Sequence, residues 1–418
     1  MFARGRLFDS NASFWLGVHT ACAYNQSYSI DEIPDWVTTD YRSALEDEEL
    51  DTISVDKMTL EDRAMWTQQN IDNIVEFGGR KVFMHEAEKP ISFLACCIEW
   101  YKYSQCEGDF YTRLPIPIDG ANNGWQHLGA MSRDTLTGRL VGLIPTPIQN
   151  DFYVQVAKRL CQRMPDWFEE RQMPMKHIRK GIAKRGAMTR AYSCGQKKMS
   201  ESMYSDCYQF GYTEEYNIST WDCDELSNQV IRAIQEVCPG PLDTMRYLQR
   251  LADQEITNWM STYGTDRGKG IEWTTPSGFP VIYECYRTRP VKVDCYGFNT
   301  PTGEIRFKHV IREKTDIPDR RGFMCGISPN FVHSMDASHM ALVVASWDHA
   351  FGAVHDSFST HACDVEELMV STREKFVEIY DKENFYNGIP FGYGYMGDVP
   401  SIGALDIDKV KESDYFFC

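Results

Sequence analysis

Two short segments offer carboxylates where the chain is set to reverse. Ala353-Val354-His355-Asp356-Ser357-Phe358 follows the mostly apolar Ala350-Phe351-Gly352 and delivers a His, an Asp and a Ser together. A strand–turn–strand there places Asp356 at a hairpin tip, its carboxylate pointing out of the sheet. Leu114-Pro115-Ile116-Pro117-Ile118-Asp119-Gly120 reads likewise as a short apolar strand ending in Asp-Gly. Each Asp would be a hard oxygen ligand, and Mg²⁺ needs few protein carboxylates when phosphates complete its shell. Two such ions, ~3.5–4 Å apart, activate a hydroxyl and steady a leaving pyrophosphate. The competing reading is two unrelated turn residues, because the sequence alone does not bring Asp119 and Asp356 together.

Between them runs a cationic segment, from about Arg179 to Tyr192. Lys180, Lys184, Met188 and Tyr192 are each four apart, so on an α-helix they share one face, with Arg179 and Arg185 beside it. Two ammonium groups followed by an aromatic ring suit a nucleoside triphosphate, charge to the phosphates and ring to the sugar or base. The alternative is a solvated basic face with Met188 and Tyr192 packed inward. His333, Asp336 and His339 lie on one predicted helix at spacings of three and six, which do not bring all three to one face. They read as satisfied helix side chains or nucleic-acid contacts rather than zinc ligands.

These groups need positioning elements. The pattern predicts helices over 11–24, from the Thr59-Leu60-Glu61-Asp62 capping signal to about Phe77, over 91–103 behind Pro90, and in a short piece holding Gln126, His127 and Met131. Further helices are expected at 151–164, 175–192, 224–237 and 243–263, the last two parted by Pro239-Gly240-Pro241. A mixed polar stretch follows 192. Strand-like sequence begins at Gly278, and alternating segments at 290–296 and 304–311 flank Asn299-Thr300-Pro301-Thr302-Gly303 as a long hairpin. Ser328-Pro329 is read as the start of a helix reaching Ala345, and 364–381 as another. No linker separates independent domains.

With 43% apolar and 25% charged residues in 418, this is ordinary globular composition with room for a large core. The net charge of −17 excludes a protein coated in nucleic-acid-binding charge but not a local basic groove. Much of the acid, at Glu46–Asp62 and in the last third, reads as solvated surface. Fourteen cysteines without a CxxC pair argue against a disulfide framework or structural zinc, and for a reducing, cytoplasmic setting. No apolar run approaches the ~20 residues of a membrane span, and the N-terminus resembles no signal peptide.

Taken together the motifs resemble the single-subunit DNA-dependent RNA polymerases of bacteriophage T7 type, relatives of the mitochondrial RNA polymerases. Asp119-Gly120-Ala121-Asn122-Asn123-Gly124-Trp125-Gln126-His127 is similar to their motif A, and Lys184-Arg185-Gly186-Ala187-Met188-Thr189-Arg190-Ala191-Tyr192 to motif B. Pro329-Asn330-Phe331-Val332-His333-Ser334-Met335-Asp336 and His355-Asp356-Ser357-Phe358 resemble the approach to motif C and motif C itself. Arg4-Gly5-Arg6 is similar to an Arg-Gly-Arg element near the start of the palm, and Glu412–Cys418 to the family's aromatic C-terminus.

The resemblance implies a helix-rich α+β right hand around a small antiparallel palm sheet. Residues 1–147 would be the first part of the palm, 148–327 the fingers, and 328–418 the second part of the palm with a C-terminal foot. Asp119 and Asp356 would hold two Mg²⁺ ions, assisted by the Gly120 carbonyl. Lys184 would contact the triphosphate and protonate pyrophosphate, with Arg179 and Lys180 nearby. Tyr192 would help select ribose. Arg4 and Arg6 would touch template or hybrid, and His333 the minor groove of the new base pair. The hairpin near 284–313 would be the promoter-specificity loop. Three departures stand out: Lys180 where an Arg is usual, Ser193 where a Gly follows the tyrosine, and a start at the Arg-Gly-Arg element. That start makes the chain look like the larger subunit of a split enzyme, similar to the two-subunit RNA polymerase of N4-like phages. A smaller chain would supply thumb and N-terminal region, and an accessory factor would open promoters. Phe2, Leu7 and Phe8 are expected to be exposed for that partner. DNA template, RNA product and ribonucleoside triphosphates would complete the assembly, with no membrane. The competing functions are a family-A-like DNA polymerase, a metal-dependent nuclease and a non-catalytic nucleic-acid-binding subunit. Against the first stands Gly124, where those enzymes carry a Glu that crowds the 2′-hydroxyl.

Overall fold

The structure, a computed structural model, describes residues 2, 4–38, 52–263, 270–300, 303–381, 384–391, 395 and 397–418, with backbone alone for 263, 296–300 and 303–307. Helix α1 (Ser10–Tyr24) starts where the Asp9 carboxylate accepts from the Ala12 amide, and Asn25 ends it in the left-handed region. Trp15, Leu16, Val18 and Ala21 on it are buried. Thr59 caps α2 (Leu60–Gln69) by accepting from the Asp62 amide. The single helix expected to Phe77 is two, because the chain bends at Asn70 before α3 (Ile71–Arg80). α4 (Pro90–Ser104) carries Pro90 in its first turn, where no N–H is needed. It packs on α3 so closely that a Cβ on Gly78 would overlap the Cys97 carbonyl.

Strand β1 (Pro115–Asp119) buries Ile116 and Ile118 and exposes the residues between them, the period of two of a half-buried strand. α5 (Asn123–Ser132) follows and is buried along its whole length. α6 (Phe152–Arg163) is capped by the Asp151 carboxylate. The cationic segment is helical from Met175 but not uniformly α: Ile178–Ala183 is a π-turn, and α7 (Lys184–Arg190) follows it. The stretch read as mixed polar contains α8 (Gln196–Gln209), whose Met199, Met203 and Cys207 form a buried stripe at helical spacing.

A Ser219–Asp222 capping box opens α9 (Thr220–Val237). The Pro-Gly-Pro read as a break is instead the first turn of α10 (Pro239–Tyr263), and Cys238 alone separates the two helices. Early proline fits because first-turn amides have no intrahelical acceptor. Ile271–Thr274, not anticipated, pairs with Pro280–Tyr283. β2 (Tyr286–Thr300) and β3 (Gly303–Pro318) form the expected hairpin, longer at both ends than the alternation suggested. α11 (Arg320–Ala345) does not start at Ser328. Asp319 caps it by accepting from the Gly322 amide, and Pro329 lies inside, forgoing one backbone bond.

β4 (Gly352–Val354) and β5 (Ser357–His361) precede α12 (Val365–Tyr380). β5 is the centre of a three-stranded antiparallel sheet in the order β4-β5-β1. Residues 416–418 extend its edge. Phe417 bridges Gly120, the Cys418 amide donates to the Asp119 carbonyl at 3.1 Å, and Gln126 Nε2 donates to the Phe416 carbonyl at 2.8 Å. Behind the sheet Phe358, Phe376, Phe416, Phe417 and His339 make one aromatic cluster. The fold class is thus the expected one, helix-rich α+β with small antiparallel sheets.

Three expectations about surface need correction. Phe8 is 8% exposed, packed on Trp100, Tyr103 and Phe110. Phe2 rests on the His361 ring, and Leu7 alone of the three is well exposed, at 47%. In the acidic segment 39–51 lies outside the described residues, but Asp62 is buried, accepting from Thr38, and Asp56 lines a cleft rather than open surface. All fourteen cysteines are free thiols. Among the described residues no helix is long and apolar enough to cross a membrane.

Phe417→Ala would remove a fully buried ring from the cluster behind β5 and β1 and should cost about 3–5 kcal/mol. Urea denaturation followed by circular dichroism measures this. A loss below ~1 kcal/mol would show that the sheet edge does not depend on residue 417.

Candidate active site

Pairing of β5 with β1 sets Ser357 opposite Asp119, so the two Asp-bearing strand ends adjoin, and the Gly120 amide donates to the Asp356 carbonyl at 3.2 Å. Asp356 sits at the hairpin tip as expected. The turn has two residues, and His355 takes φ +57°, a left-handed conformation usually left to glycine. Asp119 reaches solvent yet stands within the cleft walls. That partial burial, with the Asp356 carboxylate adding to it, pushes its carboxyl up to about 6. Asp356 is therefore close enough to oppose ionisation of Asp119.

The cleft beside Asp119 has a volume of about 300 Å³ and is lined on its far wall by Lys57, Arg179 and Lys184. It continues into a second space of about 590 Å³ that also reaches Lys176 and Lys180. The expected stripe of Lys180, Lys184, Met188 and Tyr192 is not one face. A π-turn advances about five residues per repeat instead of four, so Arg179 and Lys184 come together on the inner wall. Lys180 turns outward, its Nζ 4.2 Å above the Phe210 ring. Arg179 is held by Asp151, with Nε donating to Oδ2 at 2.7 Å. Burial disfavours charge on Asp151, but Arg179 outweighs it and keeps that carboxyl below its usual range. Lys184 is lowered by burial first and then by Arg179 and Lys57. Met188 is exposed rather than packed inward.

Tyr192 closes the helix. The Ser193 amide donates to the Arg190 carbonyl and the Cys194 amide to the Thr189 carbonyl, the two bonds of a Schellman end. Ser193 has φ +62°, so it adopts the left-handed conformation that a glycine there would favour. The Tyr192 ring stacks on His333, their centroids 4.7 Å apart. A Cβ on Gly124 would lie 2.9 Å from that ring. Gly124 therefore does not leave an empty space; it lets Tyr192 approach the helix backbone. Burial, then Asp356 and Asp336, push the Tyr192 phenol up to about 12. His333 is lowered by burial and by His355.

His339 is a satisfied core histidine, its Nε2 2.8 Å from the Thr372 carbonyl. Arg6 pairs with the buried Asp364 at 2.8 Å, while Arg4 is exposed on the chain leading to it. Neither lines the Asp119 cleft. Lys57 and Asp151 were missed as site residues, because each lies in unremarkable sequence and reaches the site only through tertiary packing. Asp119 and Asp356 with the Gly120 carbonyl are a set of hard oxygens whose mutual repulsion a divalent cation would relieve. Among the described residues no three His, Cys, Asp or Glu side chains converge on a metal position. Two carboxylates beside a cationic wall suit Mg²⁺ bound together with phosphates.

A raised carboxyl pKa means that the folded state holds more protons than the unfolded one between about 4 and about 6, so stability falls as pH rises through that window. In chelator-treated buffer Asp119→Asn should stabilise the protein near pH ~7.5, with the gain shrinking as pH drops below ~6 towards ~4. Thermal melts across this range check it, and a gain independent of pH would contradict the coupling.

The description DNA-dependent RNA polymerase belongs to the family model that matches residues 48–388. A mitochondrial DNA-directed RNA polymerase 1 of Arabidopsis thaliana is 28% identical over 390 residues, covering 87% of this chain and 38% of its own length. A chloroplastic DNA-directed RNA polymerase 3 of Nicotiana sylvestris is 25% identical over 452 residues, 100% of this chain and 40% of its own. A probable DNA-directed RNA polymerase of Neurospora crassa is 27% identical over 354 residues, 79% and 38% respectively. The chain thus spans about two fifths of the length of these relatives. With the match running over most of its residues, the chain belongs to the DNA-dependent RNA polymerase family.

Proposed function

We propose that this chain is the nucleotidyl-transfer part of a DNA-directed RNA polymerase, adding ribonucleoside triphosphates to an RNA 3′ end on a DNA template. The observation that carries this reading is the adjacency of Asp119 and Asp356 at two paired strand ends, with Asp119 lining one cleft together with Arg179 and Lys184. In this reading residues 1–147 and 328–418 form the palm and 148–327 the fingers, and the β2–β3 hairpin is the promoter-reading element. Magnesium, when bound by Asp119, Asp356 and the Gly120 carbonyl, supplies charge that acidifies the attacking hydroxyl and neutralises the leaving pyrophosphate. Arg179, Lys184 and Lys57 bind the triphosphate by charge-assisted hydrogen bonds. Lys184 holds the proton that passes to pyrophosphate, and the depression of its pKa makes it the better donor. Tyr192 and His333 bound the sugar side of the nucleotide, while Arg4 and Arg6 serve the template side.

A second chain belongs to the proposal. Nucleic-acid affinity rests chiefly on phosphate contacts, and a net charge of −17 supplies few of them. A smaller subunit with basic surface would hold the hybrid, and an accessory factor would open the promoter. The metal-dependent nuclease reading gives Arg179, Lys184 and Tyr192 no task.

Ribonucleotide incorporation on a primed single-stranded DNA template, with Mg²⁺ and with or without a candidate partner, is the direct test. Asp119→Asn and Asp356→Asn should each cut the rate at least about a thousandfold; near-normal synthesis by either would remove the two-carboxylate assignment. The wild type should prefer ribonucleotides, and Tyr192→Phe should weaken that preference by removing a hydroxyl that can bond the sugar side. A wild-type preference for deoxyribonucleotides would favour the DNA-polymerase reading.

A further inference from the structure

The residue that opens α6 does two things at once. Asp151 stands at the helix N-cap, where its Oδ1 accepts from the Tyr153 amide at 2.9 Å and from the Val154 amide at 3.1 Å. That is the ordinary work of a capping aspartate. Its Oδ2 is used differently. It accepts from Arg179 Nε at 2.7 Å, and Nη2 of the same guanidinium lies 2.5 Å away. The Asp151 side chain is 15% exposed and that of Arg179 24%, so water competes little for the pair. The Tyr153 ring, in the first turn of the same helix, has its centroid 5.8 Å from the guanidinium carbon.

Asp151 lines both the cleft beside Asp119 and the larger space that continues from it. A carboxylate there would repel phosphates unless its charge and its lone pairs were engaged elsewhere. They are: both oxygens are occupied by N–H donors, one by the backbone and the other by Arg179. Asp151 is therefore not a third metal carboxylate. Among the described residues Nη1 of Arg179 has no hydrogen-bond partner. A guanidinium gripped along its Nε–Nη2 edge keeps Nη1 for a ligand such as a phosphate. Arg179 comes from the π-turn and Asp151 from the start of α6, 28 residues apart in sequence. Without that grip the arginine would sample many rotamers and lose them on binding.

We propose that Asp151 is a positioning residue for triphosphate binding: one carboxylate caps α6 and holds Arg179, so that the guanidinium stands in the cleft already oriented. This rests on the ribonucleotide-polymerising reading above. Asp151 itself touches neither metal nor phosphate in this scheme, and it acts through Arg179.

The test compares Asp151→Ser with Asp151→Ala in the full chain. Serine is a good N-cap but has a single oxygen, so it keeps the cap and releases the arginine, whereas alanine gives up both. Steady-state incorporation of each ribonucleotide gives kcat and KM separately. Asp151→Ser should raise KM about tenfold and leave kcat within about twofold, as the loss of a binding contact does. Asp151→Ala should show the same KM and a lower melting temperature than Asp151→Ser. A role confined to the helix would instead lower the melting temperature and the active fraction and leave KM unchanged. Asp151→Ser should add little to Arg179→Ala, because both act on one guanidinium. Isothermal titration with inorganic tripolyphosphate reads the same site without turnover, and its affinity should fall about tenfold in Asp151→Ser. A wild-type KM or a wild-type tripolyphosphate affinity in Asp151→Ser, or a loss that adds fully to that of Arg179→Ala, would each overturn the proposal. So would a wild type that binds no tripolyphosphate. If the wild type binds tripolyphosphate but incorporates no ribonucleotide, the polymerase reading falls, and the titration still decides whether Asp151 sets the arginine.

Discussion

Everything in the candidate site depends on one backbone pairing, that of β5 with β1 in a register that sets Ser357 opposite Asp119. A slip of one residue would turn every side chain of the strand to the other face, carrying Asp119 and the buried Ile118 into each other's places. The buried Ile116, Ile118 and Phe358 therefore do more than fill a core: they hold the register that sets two like charges side by side. The cost is visible in the raised pKa of Asp119 and in the left-handed backbone of His355. Local strain of this kind persists where the surrounding structure over-determines it.

The opposite wall is arranged by a different irregularity. A regular α-helix would have aligned Lys180 with Lys184 and left Arg179 to one side. The π-turn over Ile178–Ala183 exchanges them, and the Asp151 cap of α6 then fixes the arginine that has been brought inward. The Schellman end that follows sets Tyr192 a short distance beyond. Within this segment the geometry passes from π to α to a left-handed cap, and each change delivers one functional side chain.

What could be read in advance follows from how local the determinants were. The short apolar run ending at Asp119, the Thr59 cap and the mostly apolar 11–24 are short-range signals; they placed β1, α1 and the start of α2 to within a residue or so, though not the end of α2. The motif resemblance named Asp119, Asp356, Lys184 and Tyr192 together. Spacing alone misjudged Lys180, because a π-turn leaves no mark on hydrophobic periodicity. Prolines misled twice in opposite ways: Pro239 was taken for a stop when it opens α10, and Pro329 for a start when it sits inside α11. Lys57 and Asp151 were invisible because each gains its meaning from partners far away in the chain. Gly124 was read as space, and only the neighbouring Tyr192 ring shows that the space is taken.

The contact of residues 416–418 with the end of β1 has a temporal side. The bond from Gln126 to the Phe416 carbonyl spans 290 residues, and the bridge from Gly120 to Phe417 is of the same order. Loops of this length close late, since their entropy is spent before the contact returns anything. On a ribosome that releases the chain from its N-terminus, Asp119 emerges long before either Asp356 or the segment that covers its strand. The three-stranded sheet therefore forms late, and until residues 357–361 and 416–418 arrive β1 waits with an unpaired edge that is open to the wrong strand.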